Sequence, residues 1–325
     1  MLSPALVTRS AFADGLSQES ISSSLGNRRA DLLIKMEPAV VTTQTLQEGQ
    51  NPVLEFRLYD ANTNKTFNHV TYFISIQKES KTLLSNWFHA HDGDLQILIK
   101  NTNASRINVS SPEIDPMIGS YIGTRDKPVT ISGPLFSNGG LYHFKVRIVT
   151  VDSDTGVLSA EDDEQPIFDS WMSIGDTKSQ PIEIEGKPVP IKITSYYDRI
   201  KDFKFDNKTM QMQFAMPFNW NTSRINKTSI FVHQEISVPK PNAFTANKSY
   251  VGTVNGIDIS KNIMLDDTPH QNQIIHVMLP KNTIIHLADR VSKKDVLGNI
   301  MEFSIKPSSS KGSIPSMGNM PMSGS

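Results

Sequence analysis

The chain has 325 residues, with 32 Lys and Arg against 33 Asp and Glu, for a formal net charge of −1. This balance, with no Lys/Arg stripe and no basic run interleaved with aromatics, excludes a nucleic-acid surface, because phosphate binding needs a positive field. The absence of cysteine excludes disulfides, thiolate metal sites and cysteine nucleophiles together, so any soft ligand must come from the 13 methionines.

At this length two domains of about 150 residues each are expected. Residues 1–13 end in Ala11-Phe12-Ala13, a small-x-small cleavage pattern, but the apolar stretch before it is too short for a whole signal peptide. They read as the residual end of a signal peptide, and residues 14–27 as a flexible segment leading into the first domain. Export is also suggested by Asn-x-Ser/Thr sequons starting at Asn64, Asn103, Asn108, Asn207, Asn221, Asn226 and Asn247, which are glycosylation acceptors only on an exported chain. No stretch approaches the roughly 20 apolar residues that span a bilayer, so no transmembrane segment is expected and the chain reads as a soluble protein.

Strand patterns dominate from there. Leu54, Phe56 and Leu58 alternate with polar neighbours, and so do Val70, Tyr72, Ile74 and Ile76, a period of two that marks half-buried strands. The run NWFHAHDGDLQILI at 86–99 carries two of the eight histidines one residue apart. In a strand, residues i and i+2 project from one face, so His89 and His91 point the same way, which is the geometry of two metal ligands. Asp92-Gly93 follows and predicts a hairpin turn, with His69 and His143 as candidates for a third ligand. Tyr142, Phe144, Val146 and Ile148 predict the core face of a further strand, with His143, Lys145 and Arg147 on its outer face.

The acidic run from Asp152 through Asp154 to Glu164 is similar to a calcium loop, in which alternating carboxylates wrap a hard cation. It departs from the EF-hand pattern, since Gly156 stands where a third oxygen ligand belongs and Val157 where the turn glycine belongs. Trp171 and Trp220 sit in short aromatic segments of the kind that anchor sandwich cores. Asp176-Thr-Lys-Ser-Gln-Pro181 interrupts the patterned sequence and predicts the domain boundary.

Helical periodicity is scarce; Thr283 to Lys294 is its best example, with Asn282 as its expected cap. Short strands separated by Gly, Pro and Asn turns predict an all-β protein of two Ig-like antiparallel β-sandwiches in tandem, at 28–178 and 181–306. The tail 307–325 is rich in Ser, Gly, Pro and Met and is expected to be disordered. Its Met317, Met320 and Met322 offer thioethers that suit Cu(I), which places copper ahead of zinc beside the imidazole pair.

The segments NWFHAHDGDLQILI, SNGGLYHFKVRI, FDSWMSIGD, ITSYYDRIKDFKFD, MQFAMPFNWNTSRI and FVHQEISVPK resemble a family of uncharacterised exported proteins of ammonia-oxidising archaea, over residues from about 25 to about 290. The resemblance implies an extracytoplasmic, envelope-associated protein with envelope or surface proteins as partners, and no established activity. The first half is more distantly similar to copper-handling sandwiches of the YtkA/CopC type, through its strand pattern and the His89/His91 pair. Gln234 departs from the acidic pair of the family's His-Glu-Glu segment, which counts against a shared charge-dependent role for His233.

No nucleophile elbow, His-Glu-x-x-His, phosphate loop or dinucleotide fingerprint is present. The expected function is therefore a non-catalytic interaction or structural role in the cell envelope. An extracellular copper-binding or copper-delivery protein using His89 and His91 is the alternative. An extracellular hydrolase, which needs a nucleophile beside a histidine in a cleft, ranks below both.

Overall fold

The computed structural model describes residues 17–158, 165–228, 230–292 and 299–308. The chain is all-β and builds four sheets, which pair as sandwiches in two compact units. The first unit holds residues up to Thr177 together with Tyr196–Arg199 and Arg224–Val232, and the rest forms the second.

The first unit opens with β1 (Gln18–Leu25), β2 (Arg28–Glu37), the short helix α1 (Thr43–Gln47), β3 (Val53–Asp60) and β4 (Val70–Lys78). It continues with β5 (Lys81–Ala90), β6 (Asp94–Asn101), β7 (Asn108–Ser110), β8 (Glu113–Ile114) and β9 (Tyr121–Ile122). β10 (Val129–Gly133), β11 (Gly140–Thr150) and β12 (Ile167–Ile174) complete it. One sheet has the order β1-β2-β3-β6-β10-β7 and the other β12-β11-β4-β5-β9-β8. Most pairings are antiparallel, as expected, but β10 with β6 and β5 with β9 run parallel.

The alternating residues do what their period dictates. Leu54, Phe56 and Leu58 of β3, Val70, Tyr72, Ile74 and Ile76 of β4, and Tyr142, Phe144, Val146 and Ile148 of β11 are all buried in one core cluster between the two sheets. The outer face of β4 carries Thr71, Phe73 and Ser75, and the candidate site lies at one end of this face.

The second unit contains most of β13 (Asp176–Ile184), then β14 (Lys187–Ser195), β15 (Lys201–Asp206), β16 (Gln211–Pro217) and most of β17 (Phe231–Pro239), with the helix α2 (Thr222–Lys227) falling at a division between the units. It ends with β18 (Tyr250–Val254), β19 (Ile257–Asp258), β20 (Ile263–Asp266), β21 (Asn272–Pro280), helix α3 (Lys281–Ser292) and β22 (Ile300–Pro307). Its sheets have the orders β13-β14-β17-β21-β20 and β15-β16-β22-β18-β19. Ile284, Leu287, Ala288 and Val291 of α3 are buried, the i, i+3, i+4, i+7 stripe of a helix laid on a sheet. Asn255-Gly256 makes the tight β18–β19 hairpin expected of it, with both residues at positive φ.

Several expectations are corrected. The described part of the segment 14–27 is not flexible: β1 pairs with β2 from Gln18↔Lys35 to Leu25↔Arg28. Its buried Glu19 also crosses to the other sheet, where Oε2 accepts hydrogen bonds from Ser170 Oγ at 2.6 Å and Trp171 N at 2.9 Å. The expected interruption at Asp176–Pro181 is the start of β13, an edge strand, where polar residues and proline are tolerated. α3 begins at Lys281, so Asn282 lies in its first turn and does not cap it. Trp220 is a core residue, as expected, with Nε1 donating to the Ile300 carbonyl at 3.0 Å, whereas Trp171 lies half-exposed. The expected signal-peptide end and the methionines Met317, Met320 and Met322 lie outside the described residues.

Glu19 yields a pH prediction. Burial raises its carboxyl pKa, and the hydrogen bonds from Ser170 and Trp171 only partly offset this. The folded state therefore holds the proton more tightly than the unfolded chain, whose ordinary value is 4.5. This contribution to stability is fully present below the unfolded value and is lost as pH rises through the folded one. Glu19→Gln, whose amide oxygen can accept the same two bonds, is expected to flatten urea-measured stability over that window relative to wild type.

Candidate metal centre

The site forms at one end of the ladder between β4 and β5. Val70 pairs with Ala90 and Thr71 with His89, and the next step of the ladder brings His69 opposite His91, where His69 N donates to the His91 carbonyl at 2.8 Å. With a side-chain period of two, His69, Thr71, His89 and His91 share one face. His69 can end the strand there because it adopts a left-handed backbone, φ 48°. The fourth member, Asp154, comes from the loop after β11, which is held alongside by an Asp152 N to Asn68 O hydrogen bond of 2.8 Å.

Four donor atoms converge. His89 Nε2 lies 3.2 Å from His91 Nδ1, and His91 Nδ1 lies 3.5 Å from His69 Nδ1. Asp154 Oδ1 stands 2.7 Å from His69 Nδ1, 3.1 Å from His89 Nε2 and 3.7 Å from His91 Nδ1. All four atoms lie within 4.8 Å of one another. A tetrahedral ion bound at 2.0–2.1 Å has ligand-to-ligand edges of about 3.4 Å, in the middle of these separations. Three borderline imidazoles with one hard carboxylate suit Zn2+ and Cu2+ better than Cu+, which prefers soft ligands, or Ca2+, which prefers oxygen alone.

The four donors are not equivalent. His89 is only 1% exposed, whereas His69, His91 and Asp154 are 42%, 46% and 43% exposed. Burial, and then the charge of His91, holds the His89 imidazole below its ordinary pKa against the pull of Asp154, which favours the neutral form a metal requires. For Asp154, slight burial is outweighed by the His69 hydrogen bond and the three imidazoles, which keep its carboxyl below the usual value.

Comparison with known protein families, with characterised proteins and with solved structures finds no match. The chemistry is therefore carried by the donor set itself and by what orients it.

Behind His89 stands a hydroxyl relay. Its Nδ1 lies 2.9 Å from Thr71 Oγ1, which is 2.7 Å from Thr150 Oγ1, and Thr150 Oγ1 donates to the His69 carbonyl at 3.2 Å. Run toward that carbonyl, which only accepts, Thr71 Oγ1 donates to Thr150 Oγ1 and accepts from His89 Nδ1–H, which leaves the Nε2 lone pair facing the other three donors. Run the other way, with Thr150 Oγ1 donating to Thr71 Oγ1 and Thr71 Oγ1 to His89 Nδ1, Nε2 carries the hydrogen and donates it to Asp154 Oδ1; a bound ion selects the first sense. Thr71→Val, close in shape but with no hydroxyl, is expected to weaken metal binding about 10- to 100-fold with the fold intact, measured by competition against a chromophoric chelator.

The remaining expected site residues fall elsewhere. His143 Nε2 lies 2.8 Å from Asp169 Oδ1 and its ring stacks on Trp171, with centroids 4.6 Å apart. It faces Gln77 of β4, six positions from Thr71 and so about 20 Å along the strand, too far to join the site. The expected calcium pair is divided: Asp152 Oδ2 accepts from Arg28 Nη1 at 2.7 Å, while Asp154 turns to the histidines. Glu161 to Glu164 lie outside the described residues. Asp92-Gly93 is not a hairpin, since β5 and β6 belong to different sheets and the turn carries the chain between them.

Of the sequon asparagines, Asn64, Asn103, Asn108, Asn207, Asn221 and Asn226 are exposed. Asn247 is half-buried, with Nδ2 donating to the carbonyls of Ala243 at 3.1 Å and Phe244 at 3.0 Å, so modification there requires breaking both bonds.

Proposed function

We propose that the protein binds a divalent transition-metal ion, Cu2+ or Zn2+, through His69, His89, His91 and Asp154, and serves as a non-catalytic metal-handling protein of the cell exterior. The observation that carries this reading is the convergence of four donor atoms from three separate segments at tetrahedral spacing. Catalytic zinc sites keep one position open for water, whereas four protein donors close this one, which favours storage, transfer or structure over catalysis. Three half-exposed ligands on a buried fourth suit loading and release at the surface. An exterior location draws on the cleavage pattern, the sequons and the archaeal family resemblance; among the described residues no helix is long and apolar enough to cross a membrane.

Trp87 stands two residues before His89 on β5 and provides a built-in reporter. Addition of Cu2+ to chelator-stripped protein is expected to quench tryptophan fluorescence with a saturable 1:1 phase that is lost in a His69→Ala/His91→Ala variant. Equal and weak quenching of both proteins would sink the site.

A second reading, an interaction role at the envelope, is favoured by Ile114, Met117 and Ile118, which are exposed within five residues of one another. Cross-linking in envelope extracts with an Ile114→Ser/Met117→Ser/Ile118→Ser variant tests it; unchanged cross-linked species would exclude that patch.

A further inference from the structure

The second unit holds another group of donors, unrelated in sequence to the first. On β17 the alternation buries Gln234, Ile236 and Val238 toward the core and turns His233 and Glu235 to the opposite face. Gln234 is fully buried, with Nε2 donating to Ser195 Oγ at 3.0 Å, so it faces away from this group. Glu235, one residue on, supplies a carboxylate on the same face as His233. The neighbouring strand β21 adds His276.

The three donor atoms form a compact triangle. His233 Nε2 is 3.1 Å from His276 Nδ1, His276 Nδ1 is 3.5 Å from Glu235 Oε1, and His233 Nε2 is 3.8 Å from Glu235 Oε1. The imidazole rings stack at 24° with centroids 5.3 Å apart. One face of a tetrahedron around an ion at 2.0–2.1 Å is a triangle with edges of about 3.4 Å, close to the mean of these three. All three residues stand on paired strands of one sheet, which holds the donors more rigidly than loops would.

We infer that His233, Glu235 and His276 form a second, independent binding site for a borderline divalent ion such as Zn2+ or Cu2+. Two imidazoles and a carboxylate match those ions in softness, and three protein donors leave a coordination position for water or an exogenous ligand. The protein thus carries one closed site in its first unit and one open site in its second. The second site stands whether or not the first binds metal, because no residue is shared.

The test uses the full chain, stripped with chelator and titrated with Zn2+ by calorimetry, with bound metal counted by elemental mass spectrometry after desalting. Wild type is expected to bind two equivalents. His276→Gln is expected to bind one, and that one should disappear on adding His91→Ala. Glu235→Gln, a half-exposed and nearly isosteric change, is expected to weaken the second equivalent at least tenfold and decides the matter if His276→Gln fails to fold by circular dichroism. Wild-type stoichiometry and affinities in whichever of these variants is folded would overturn the second site. A single equivalent that is lost with His91→Ala but untouched by His276→Gln or Glu235→Gln would also overturn it. A single equivalent lost with His276→Gln and untouched by His91→Ala would uphold it and remove the first site instead.

Discussion

His89→Ala is expected to lower the affinity for Zn2+ or Cu2+ by at least about 100-fold, a larger loss than removal of a group that merely orients a ligand. His89 is the one ligand whose ring is fully enclosed and whose far nitrogen is held, by Thr71. The other three donors sit on half-exposed side chains and pay more conformational entropy when they converge on an ion. His91→Ala should therefore cost less than His89→Ala, and His143→Ala, which belongs to the Asp169–Trp171 contact, should leave affinity unchanged. Chelator competition on all three variants gives the order; equal losses for His143 and His89 would contradict the assignment. The His89 change also strips the Thr71 hydroxyl of a partner in a buried setting, so apo stability should fall by about 1–3 kcal/mol.

The second large effect concerns the turn beside the site. Gly93 has φ 72°, and a Cβ there would lie 1.8 Å from the Phe67 carbonyl oxygen. The left-handed backbone alone costs an ordinary residue roughly 1–2 kcal/mol, and the collision is with main chain that cannot rotate aside. The turn is fixed from below as well: Tyr72 Oη donates to the Gly93 carbonyl at 2.7 Å, and the Leu58 N–H donates to Tyr72 Oη at 3.2 Å. Gly93→Ala is thus expected to destabilise the first unit by about 4 kcal/mol, on the order of 10 °C in Tm, and to displace His91, two residues upstream. Gly93→Asn separates the causes. Asparagine tolerates positive φ but carries the same Cβ, so if the collision dominates it should be as damaging as alanine; a mild Asn variant would assign the effect to φ alone.

Much of the fold was legible because it is written locally. Tyr72, Ile74 and Ile76 announce a strand face by period two, and Asn255-Gly256 announces a hairpin by its tolerance of positive φ. Asp92-Gly93 shows the limit of such signals. Its chemistry requires a left-handed turn, which forms, but says nothing about which sheet the next strand joins, and β6 joins the sheet opposite β5. The segment 14–27 departs from the expected flexibility for a related reason: SQESISSSL is polar because β1 is an edge strand, and its anchoring depends on Glu19 reaching residues about 150 positions away.

The site divides in the same way. His89 and His91 share a face by spacing alone. His69 and His143 were equal candidates for a third donor until the β4–β5 register placed His69 opposite His91, and Asp154 lies in an acidic run whose alternation points to calcium. The second cluster is less legible. His233 and Glu235 are two residues apart, but His276 lies 43 residues beyond His233 on another strand, and no local pattern links them. Spacing i, i+2 in a strand marks two of the four donors of the first group, His89 and His91, and two of the three of the second, His233 and Glu235.

The most direct test of the metal centre is anomalous diffraction from crystals of chelator-stripped protein soaked in Zn2+, recorded on both sides of the zinc edge. A peak within bonding distance, about 2.0–2.2 Å, of His69 Nδ1, His89 Nε2, His91 Nδ1 and Asp154 Oδ1 is the predicted result. Fully soaked crystals with no anomalous density among these four atoms, or with zinc only at other surface histidines, would contradict it.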